Sequence, residues 1–266
     1  MSVFTFTLSH AGGVDASFIT PDVLNLPFKY NGTGYPGVGG TCGSMLPVGN
    51  TCTLVVNFEP TAVAVSNDTI TLNYNDGVIV QTTTRDIQGQ GVSPALLSIS
   101  DSEPFNFGSV AIGGVAEHTF TITNSGGQDA TNVDITSISS PFVFKGGTFP
   151  GLGGSCVSAG TITSGGGNCT VVIEFAPSAT GVITMAMNVD YYNGSLTTVE
   201  SKTLQGNGAA PALLVINQAD PFDFGTVADG STHIQTFTVT NTGAIDASSI
   251  TGTGLSTAFT LSLIHI

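Results

Sequence analysis

Basic residues are nearly absent from this chain. Among its 266 residues only four are Lys or Arg, against 18 Asp or Glu, so the formal net charge is -14. Proteins that bind nucleic acid neutralise its phosphates with Lys and Arg, and anionic lipid surfaces attract the same side chains. The composition therefore predicts no nucleic-acid partner and no attraction to anionic membranes.

Long apolar runs are also absent, and no signal peptide is visible in this sequence. No stretch approaches the roughly 20 apolar residues of a membrane-spanning helix, so we expect no membrane span in this chain. Its first residues carry no basic segment of the kind that opens a signal peptide. Hydrophobic residues still make up 41% of the chain. Because that content is enough for buried cores, the 35 glycines do not indicate wholesale disorder.

A sequence repeat organises the chain. Residues 94–97 read Pro-Ala-Leu-Leu and recur at 211–214, which is 117 positions later. The N-terminal part belongs to the same series, since residues 5–16 match 119–130. Registered matches of this kind predict tandem repeats. We predict an N-terminally truncated repeat at 1–92, a complete repeat at 93–210 and a C-terminally truncated repeat at 211–260.

Residues 261–266 match nothing in the repeat. They read Leu-Ser-Leu-Ile-His-Ile and resemble the in-frame translation of a transposase sequencing adapter, so we expect them to be an artefact. The alternative is a natural C-terminus, which would end a repeat after about half of its strands. Met1 precedes a predicted strand whose predecessors in the repeat are missing, and we therefore do not expect it to be the natural start.

Short runs that alternate apolar and polar residues predict β-strands in the complete repeat. Phe120 and Ile122 share one face and the flanking threonines the other, which is the period-two pattern of a half-buried strand. Asn193-Gly194 predicts a hairpin turn because such turns need positive φ. The clearest predicted strands are 95–100, 116–124, 134–139, 170–175, 182–191 and 197–204. With no helical periodicity, the predicted fold class is all-β: tandem immunoglobulin-like β-sandwich repeats of about 117 residues each.

The order of motifs in the complete repeat resembles a known family. The motifs are Phe-x-Phe-Gly at 105–108, Thr-Phe-Thr-Ile-Thr-Asn-Ser-Gly at 119–126, Cys156, Cys169, Phe-Ala-Pro at 175–177 and Gly-Asn-Gly at 206–208. This order resembles the Hydin-type (ASH) immunoglobulin-like repeats, and particularly the choice-of-anchor D repeats of bacterial secreted and surface proteins. The resemblance implies seven-stranded sandwiches in tandem, no catalytic site, and a structural or adhesive role. It implies no particular ligand.

The cysteines fall as one pair in each of the first two repeats. Cys42 and Cys52 flank one Gly-rich loop, and Cys156 and Cys169 flank a longer one. Two cysteines at the base of a loop that varies in length predict a disulfide that closes it. Disulfides persist in oxidising compartments, so we expect an extracellular or cell-surface location. The alternatives are reduced thiols in a cytosolic domain and a zinc site, although zinc needs four ligands at one point.

No catalytic motif is present in the sequence. The histidines hold unrelated positions in the repeats, and we interpret them as surface or strand-face residues; they are His10, His118, His233 and His265. The glycine clusters at 151–154 and 165–167 lack the Lys-Ser/Thr that completes a phosphate-binding loop. We therefore predict a protein that is not an enzyme, with no catalytic, cofactor-binding or metal-binding residues.

One type of acidic residue does repeat. Asp15, Asp129 and Asp246 occupy equivalent places after the Gly-rich turn of each repeat. A repeated carboxylate could ligate Ca²⁺ between adjacent domains. A single Asp without neighbouring acidic ligands more often bonds the backbone of its own turn, which is the interpretation we favour.

The leading functional hypothesis is a non-catalytic structural or adhesion segment of a large secreted or cell-surface protein. It would act as a spacer or interaction array, with neighbouring repeats of the same chain as its partners. The alternative is a carbohydrate- or protein-binding module with an extracellular protein or glycan ligand, which could be accessory to an extracellular enzyme. The candidate contact residues for that alternative are Tyr30, Tyr35, Tyr191 and Tyr192.

Overall fold

The computed structural model describes residues 2–252, 255–256 and 258–261, and these residues are almost entirely strand and loop. The N-terminal strands are β1 (Ser2–Ser9), β2 (Ala16–Pro21), β3 (Phe28–Tyr30), β4 (Met45–Leu46), β5 (Thr51–Phe58), β6 (Val65–Asn75) and β7 (Val80–Gln90). The central strands are β8 (Leu97–Ile99), β9 (Phe105–Ala111), β10 (Ala116–Asn124), β11 (Ala130–Asp134), β12 (Phe142–Phe144), β13 (Gly160–Ile162), β14 (Gly167–Phe175), β15 (Gly181–Tyr192) and β16 (Thr197–Ala209). A 3-10 turn follows β12 at Lys145–Gly147, and the last strands are β17 (Leu214–Ile216) and β18 (Val239–Asn241).

The central strands form a β-sandwich. One sheet has the order β12-β14-β10-β8 and the other the order β13-β11-β15-β16-β9. The strand pairs are antiparallel except for β9, which runs parallel to β16. Phe120 of one sheet and Leu204 of the other are fully buried in a single apolar cluster, which forms the core between the sheets. The predicted all-β, immunoglobulin-like sandwich is therefore confirmed.

Local sequence patterns identified several strands correctly. The strand β10 has the predicted bounds, with Phe120 and Ile122 fully buried and the intervening threonines partly exposed. The predicted hairpin joins β15 to β16. Its turn has Gly194 at φ 97°, and the Asn193 Oδ1 accepts hydrogen bonds from the backbone N–H groups of Ser195 and Leu196.

The predicted strand at 134–139 is wrong, because the strand in this region is β11 and it ends at Asp134. Apolar and polar residues alternate after Asp134 because this loop buries some of its side chains: Ile135 and Ile138 pack on the core. Ser137 supplies hydrogen bonds here through its side chain: its Oγ donates to the Ala186 carbonyl at 3.3 Å and accepts from the Asn188 N–H at 2.9 Å.

The N-terminal strands enclose a second apolar core between sheets of order β1-β5-β3 and β4-β2-β6-β7. In the central sandwich β8 lies beside β10, and β9 lies beside β16. Among the described residues nothing occupies the equivalent places beside β1 and β7. As a result Phe6 and Leu8 are only partly buried, whereas their counterparts Phe120 and Ile122 are inaccessible to solvent.

A buried amide ties one end of the central sandwich together. The Asn124 side chain is fully buried, and its Oδ1 accepts hydrogen bonds from the N–H groups of Leu96 and Gly126 at 3.1 and 3.0 Å. Its Nδ2 donates to the carbonyls of Gln128 and Ile162 at 2.8 and 3.0 Å. The amide thus joins the start of β8, the turn after β10 and the end of β13.

The last described residues repeat part of this arrangement. The strands β17 and β18 pair antiparallel, with Leu214 opposite Asn241, just as Leu97 lies opposite Asn124. The Asn241 Oδ1 accepts from the Leu213 N–H at 3.0 Å and its Nδ2 donates to the Ile245 carbonyl at 2.8 Å. Residues 262–266, the main part of the segment interpreted as adapter, lie outside the described residues. Within the described part of the chain no helix is long and apolar enough to cross a membrane.

Replacement of Asn124 by alanine is expected to lower the free energy of unfolding of the central sandwich by at least ~3 kcal/mol, because several buried backbone groups lose their partner at once. Hydrogen-exchange mass spectrometry on the full chain, read at β10 and β14, measures the change. Asn168→Ala is the matched control, because Asn168 is exposed and its side chain donates a single long bond; we expect less than ~0.5 kcal/mol there. Equal protection in both variants would contradict the assigned role of Asn124.

Candidate functional site

Both predicted cysteine pairs are bonded in the structure. Cys42 is joined to Cys52 and Cys156 to Cys169, with Cα–Cα distances of 4.8 and 4.9 Å. Each bond closes the loop that runs into the strand carrying the second cysteine, β5 or β14. The two disulfides therefore hold equivalent loops at equivalent places in the two sandwiches.

The loop before each first cysteine depends on glycine. Gly37 and Gly151 have φ values of +87° and +89°, and a Cβ at either position would collide with a backbone carbonyl of β5 or β14. The Val55 N–H donates to the Pro36 carbonyl at 2.7 Å, and the equivalent bond runs from Val172. Side chains would block this close approach, so glycine lets the loop lie against the strand that the disulfide then fixes.

Loss of either disulfide is expected to destabilise its own sandwich by about 3 kcal/mol in the chain-entropy account. Replacing Cys156 and Cys169 together by alanine should speed hydrogen exchange in β14 and β10 and leave β5 and β1 unchanged. The double variant at Cys42 and Cys52 is the matched control and should show the reverse. If both variants affect both sandwiches equally, the disulfides do not act locally.

A cleft lies in the surface of the N-terminal sandwich. It has a volume of about 340 Å³ and lies between the segment that ends β2 and the segment that follows β3. Its lining residues are Pro21, Asp22, Val23, Leu24, Lys29, Tyr30, Gly32, Thr33, Gly34 and Tyr35. The structure thus brings together two of the tyrosines that the sequence offered as contact residues, with their ring centroids 5.6 Å apart and edge to face.

Tyr30 has an unusual environment in this cleft. The residue is only 8% exposed, and its hydroxyl is buried without a hydrogen-bond partner among the described residues. Burial, and after it the proximity of Tyr35, Asp22 and Asp68, raises the pKa of Tyr30 to about 12. The Tyr35 hydroxyl, by contrast, donates to the Gly43 carbonyl at 3.4 Å. The Tyr30 hydroxyl is therefore neutral at physiological pH and enclosed by protein atoms.

Alkaline titration should reveal Tyr30. The pKa of Tyr30 is about 12 in the folded chain against an ordinary value of 10.0. Near pH 10 the Tyr30 hydroxyl therefore begins to ionise in the unfolded chain but not in the folded chain. Relative to Tyr30→Phe, the free energy of unfolding is therefore expected to fall as the pH rises from about 10 towards about 12. In the folded Tyr30→Phe variant, the tyrosinate absorbance should lack the component that titrates at the highest pH. Identical titration curves would show that Tyr30 is not the late group.

Two of the repeated aspartates hold loops. The Asp15 Oδ1 accepts a hydrogen bond from the Val48 N–H at 2.9 Å, and the Asp129 Oδ1 accepts from the Ser164 N–H at 2.7 Å. Each carboxylate thus bonds the loop leading into the strand of the second cysteine. The sequence analysis correctly predicted that these aspartates bond backbone groups. Its prediction that each bonds its own turn is wrong, because the bonded loop lies more than 30 residues away.

The remaining tyrosine candidates differ from each other. Tyr191 is 4% exposed and belongs to the central core, so it is not available as a contact residue and that prediction is wrong. Its hydroxyl accepts a hydrogen bond from the Leu97 N–H at 3.4 Å. Tyr192 is exposed at the end of β15. The two neighbours point to opposite faces of the strand, as the period of a strand requires.

The histidines have structural contacts. His118 stacks on Phe105 with ring centroids 4.0 Å apart, and its Nε2 lies 3.1 Å from the Asp101 carboxylate. His10 occupies the position of Asn124 in the first repeat, where its Nδ1 accepts from the Gly12 N–H at 2.9 Å. His265 lies outside the described residues. The described contacts fit the interpretation of His118 as a strand-face residue.

Sequence reasoning missed a buried lysine. Lys202 is 4% exposed, and its Nζ donates to the Asp101 carbonyl at 2.6 Å with the Glu103 carboxylate 3.8 Å away. The hydrogen bond from Thr203 lowers the pKa of Glu103. Lys202 therefore holds the segment that leads into β9. The two-residue period of β16 indicates the burial of Lys202, because Lys202 lies on the same inward face as Leu204.

The family comparison concerns the central sandwich. Residues 96–207 match the family model described as HYDIN/CFA65/VesB-like, Ig-like domain. This match and the topology of β8 to β16 agree, so the central sandwich is an immunoglobulin-like domain. No curated protein matches the chain.

Three solved structures are similar at low identity. A protein of unknown function from Porphyromonas gingivalis W83 is 9% identical, with a TM-score of 0.34 over 77% of this chain and 90% of that chain. The VesB protease of Vibrio cholerae is 17% identical, with a TM-score of 0.34 over 42% of this chain and 31% of that chain. The ASH / PapD-like domain of human CEP192 (PapD-like domain 7) is 17% identical, with a TM-score of 0.32 over 43% of this chain and 86% of that chain.

Proposed function

We propose that the chain is a non-catalytic structural segment of a large secreted or cell-surface protein. It acts as a spacer or interaction array built from tandem repeats of the choice-of-anchor D kind. The observation that carries the proposal is that the repeated polar side chains of this chain hold its own loops in place. The repeated cysteines and aspartates described above hold loops in place, and they do so equivalently in the two sandwiches.

The extracellular location rests on the same chemistry. Both disulfides close loops that are rich in glycine, and such bonds persist in oxidising compartments. The net charge of -14 makes neighbouring surfaces repel each other, which favours solubility. The match of residues 96–207 to a VesB-like Ig-like domain is consistent with this location.

The spacer role draws on the short link between the first two predicted repeats. Ser93 in this link accepts a hydrogen bond from the Gly127 N–H through its Oγ at 2.9 Å. Two residues later, the Ala95 N–H donates to the Asn193 carbonyl. Pro94 between them has a restricted backbone. A link that is bonded to the following sandwich has little slack, so we expect a semi-rigid row.

Small-angle scattering on the full chain tests the spacer. A compact single domain of this length would have a radius of gyration of about 18 Å, and we expect a clearly larger value with an extended distance distribution. A variant with a flexible Gly-Ser insertion after Val92 is the control, and its distance distribution should broaden. A radius near that of a compact globule would contradict the spacer role.

A second candidate function is the binding module. The cleft at Tyr30 and Tyr35 favours it, because it is a concave surface of about 340 Å³ whose lining combines two aromatic residues with Asp22. In this role the sandwich would bind an extracellular ligand, either by itself or as an accessory to an extracellular enzyme.

A further inference from the structure

The two disulfides differ in their access to solvent. In the N-terminal sandwich both Cys42 and Cys52 are buried. In the central sandwich Cys156 is also buried, but Cys169 is only partly buried. The two bonds otherwise hold equivalent places, with nearly the same Cα–Cα distance. Cys169 is therefore the cysteine that is most open to a reagent dissolved in the surrounding solvent.

A cleft adjoins the more open disulfide. Its volume is about 270 Å³, and both Cys156 and Cys169 belong to its wall. This volume has room for the thiol-bearing end of a small molecule or a peptide. None of the lining side chains is charged, so the wall itself does not repel an anionic thiolate. Besides the two cysteines, the lining residues are Val133, Ser155, Val157, Gly160, Thr161, Ile162 and Asn168.

The segment between Cys156 and Cys169 is held mainly by hydrogen bonds. Among residues 157–168, all of which the structure describes, only Ile162 is buried. The Ile162 carbonyl accepts from the Asn124 Nδ2 at 3.0 Å, and the Ser164 N–H donates to the Asp129 carboxylate at 2.7 Å. Because little apolar surface holds this segment, its position depends on these bonds and on the disulfide at its base.

We propose that the Cys156–Cys169 disulfide is a thiol-exchange site, whereas the Cys42–Cys52 disulfide is purely structural. An external thiolate attacks the Cys169 Sγ and forms a mixed disulfide with it. The bond between the two cysteine sulfurs breaks, and its electron pair leaves on the Cys156 Sγ, which takes a proton from water. A second thiol then attacks the mixed disulfide, so that both cysteines end as thiols and the two external thiols end as one disulfide.

The exchange acts on the buried amide of Asn124. Once the bond is open, the segment that carries Ile162 is no longer fixed at its base, and the hydrogen bond from the Asn124 Nδ2 loses its support. The same amide accepts from the Leu96 N–H, close to the link between the first two predicted repeats. Thiol exchange therefore loosens the end of the central sandwich at which this link enters, which is a property beyond the spacer role.

The two disulfides of one molecule can be compared directly. The native full chain is incubated with reduced glutathione, and new thiols are trapped with an alkylating reagent. Peptide mass spectrometry then assigns each trapped thiol and each glutathione adduct to its cysteine. We expect the adduct on Cys169 and the trapped thiol on Cys156. This bond should open about tenfold faster than the Cys42–Cys52 bond, because exposed disulfides are the labile ones.

Hydrogen exchange and two matched variants separate access from unfolding. After opening, the amides of 96–97 and 157–166 should exchange faster than in the closed chain. Asn168→Phe enlarges a side chain in the wall of the cleft and should slow glutathione attack, whereas Asn168→Ala should not. Both variants are compared at equal hydrogen-exchange protection of β10 and β14.

Three results would overturn the proposal. The first is equal opening rates of the two disulfides, and the second is a glutathione adduct on Cys156 in place of Cys169. The third is equal attack rates in Asn168→Phe and Asn168→Ala, because access through the cleft would then not control the reaction. If Asn168→Phe does not fold, the first two results still decide, since they need only the parent chain.

Discussion

The buried amide of Asn124 is the constraint on which the end of the central sandwich depends. Its four hydrogen bonds join backbone groups from β8, from the turn after β10 and from the end of β13. A buried amide is stable only when its partners are all present, so it allows one arrangement of these segments. Asn241 repeats three of the bonds with its own neighbours. His10 retains only the bond to the following turn, in a sandwich where no counterpart of β8 is described.

The disulfide-closed loop of the central sandwich meets this amide, because Ile162, which accepts from the Asn124 Nδ2, lies between Cys156 and Cys169. Glycine lets the loop before the first cysteine approach its strand, and an aspartate bonds the loop between the two cysteines. The disulfide limits the freedom of the unfolded chain. These elements are equivalent in the two sandwiches, and each has a structural use. Against this background the Tyr30 hydroxyl stands out, because it is the polar group in the cleft that the fold leaves unpartnered.

Local patterns made part of the fold predictable. The strand β10 and the hairpin at Asn193-Gly194 follow from period-two alternation and from turn chemistry, which are properties of neighbouring residues. The disulfide pairs follow from the repeat, because the same two cysteines bracket a loop twice. The parallel pairing of β9 with β16 was not predictable, since the paired residues are about 100 positions apart. The strand predicted after Asp134 is wrong because buried and exposed side chains alternate in this loop as they do in a strand.

The sequence by itself determined the all-β class, the repeat, and the pairing of Cys42 with Cys52 and of Cys156 with Cys169, because each is encoded in spacing and periodicity. Only the tertiary structure decided which polar groups meet. Asp22, Tyr30 and Asp68 lie on different segments, and the packing of the two sheets brings both carboxylates close enough to Tyr30 to raise its pKa. The same packing buries Tyr191 and Lys202. Burial depends on what the opposite sheet presents, and no local pattern contains that information.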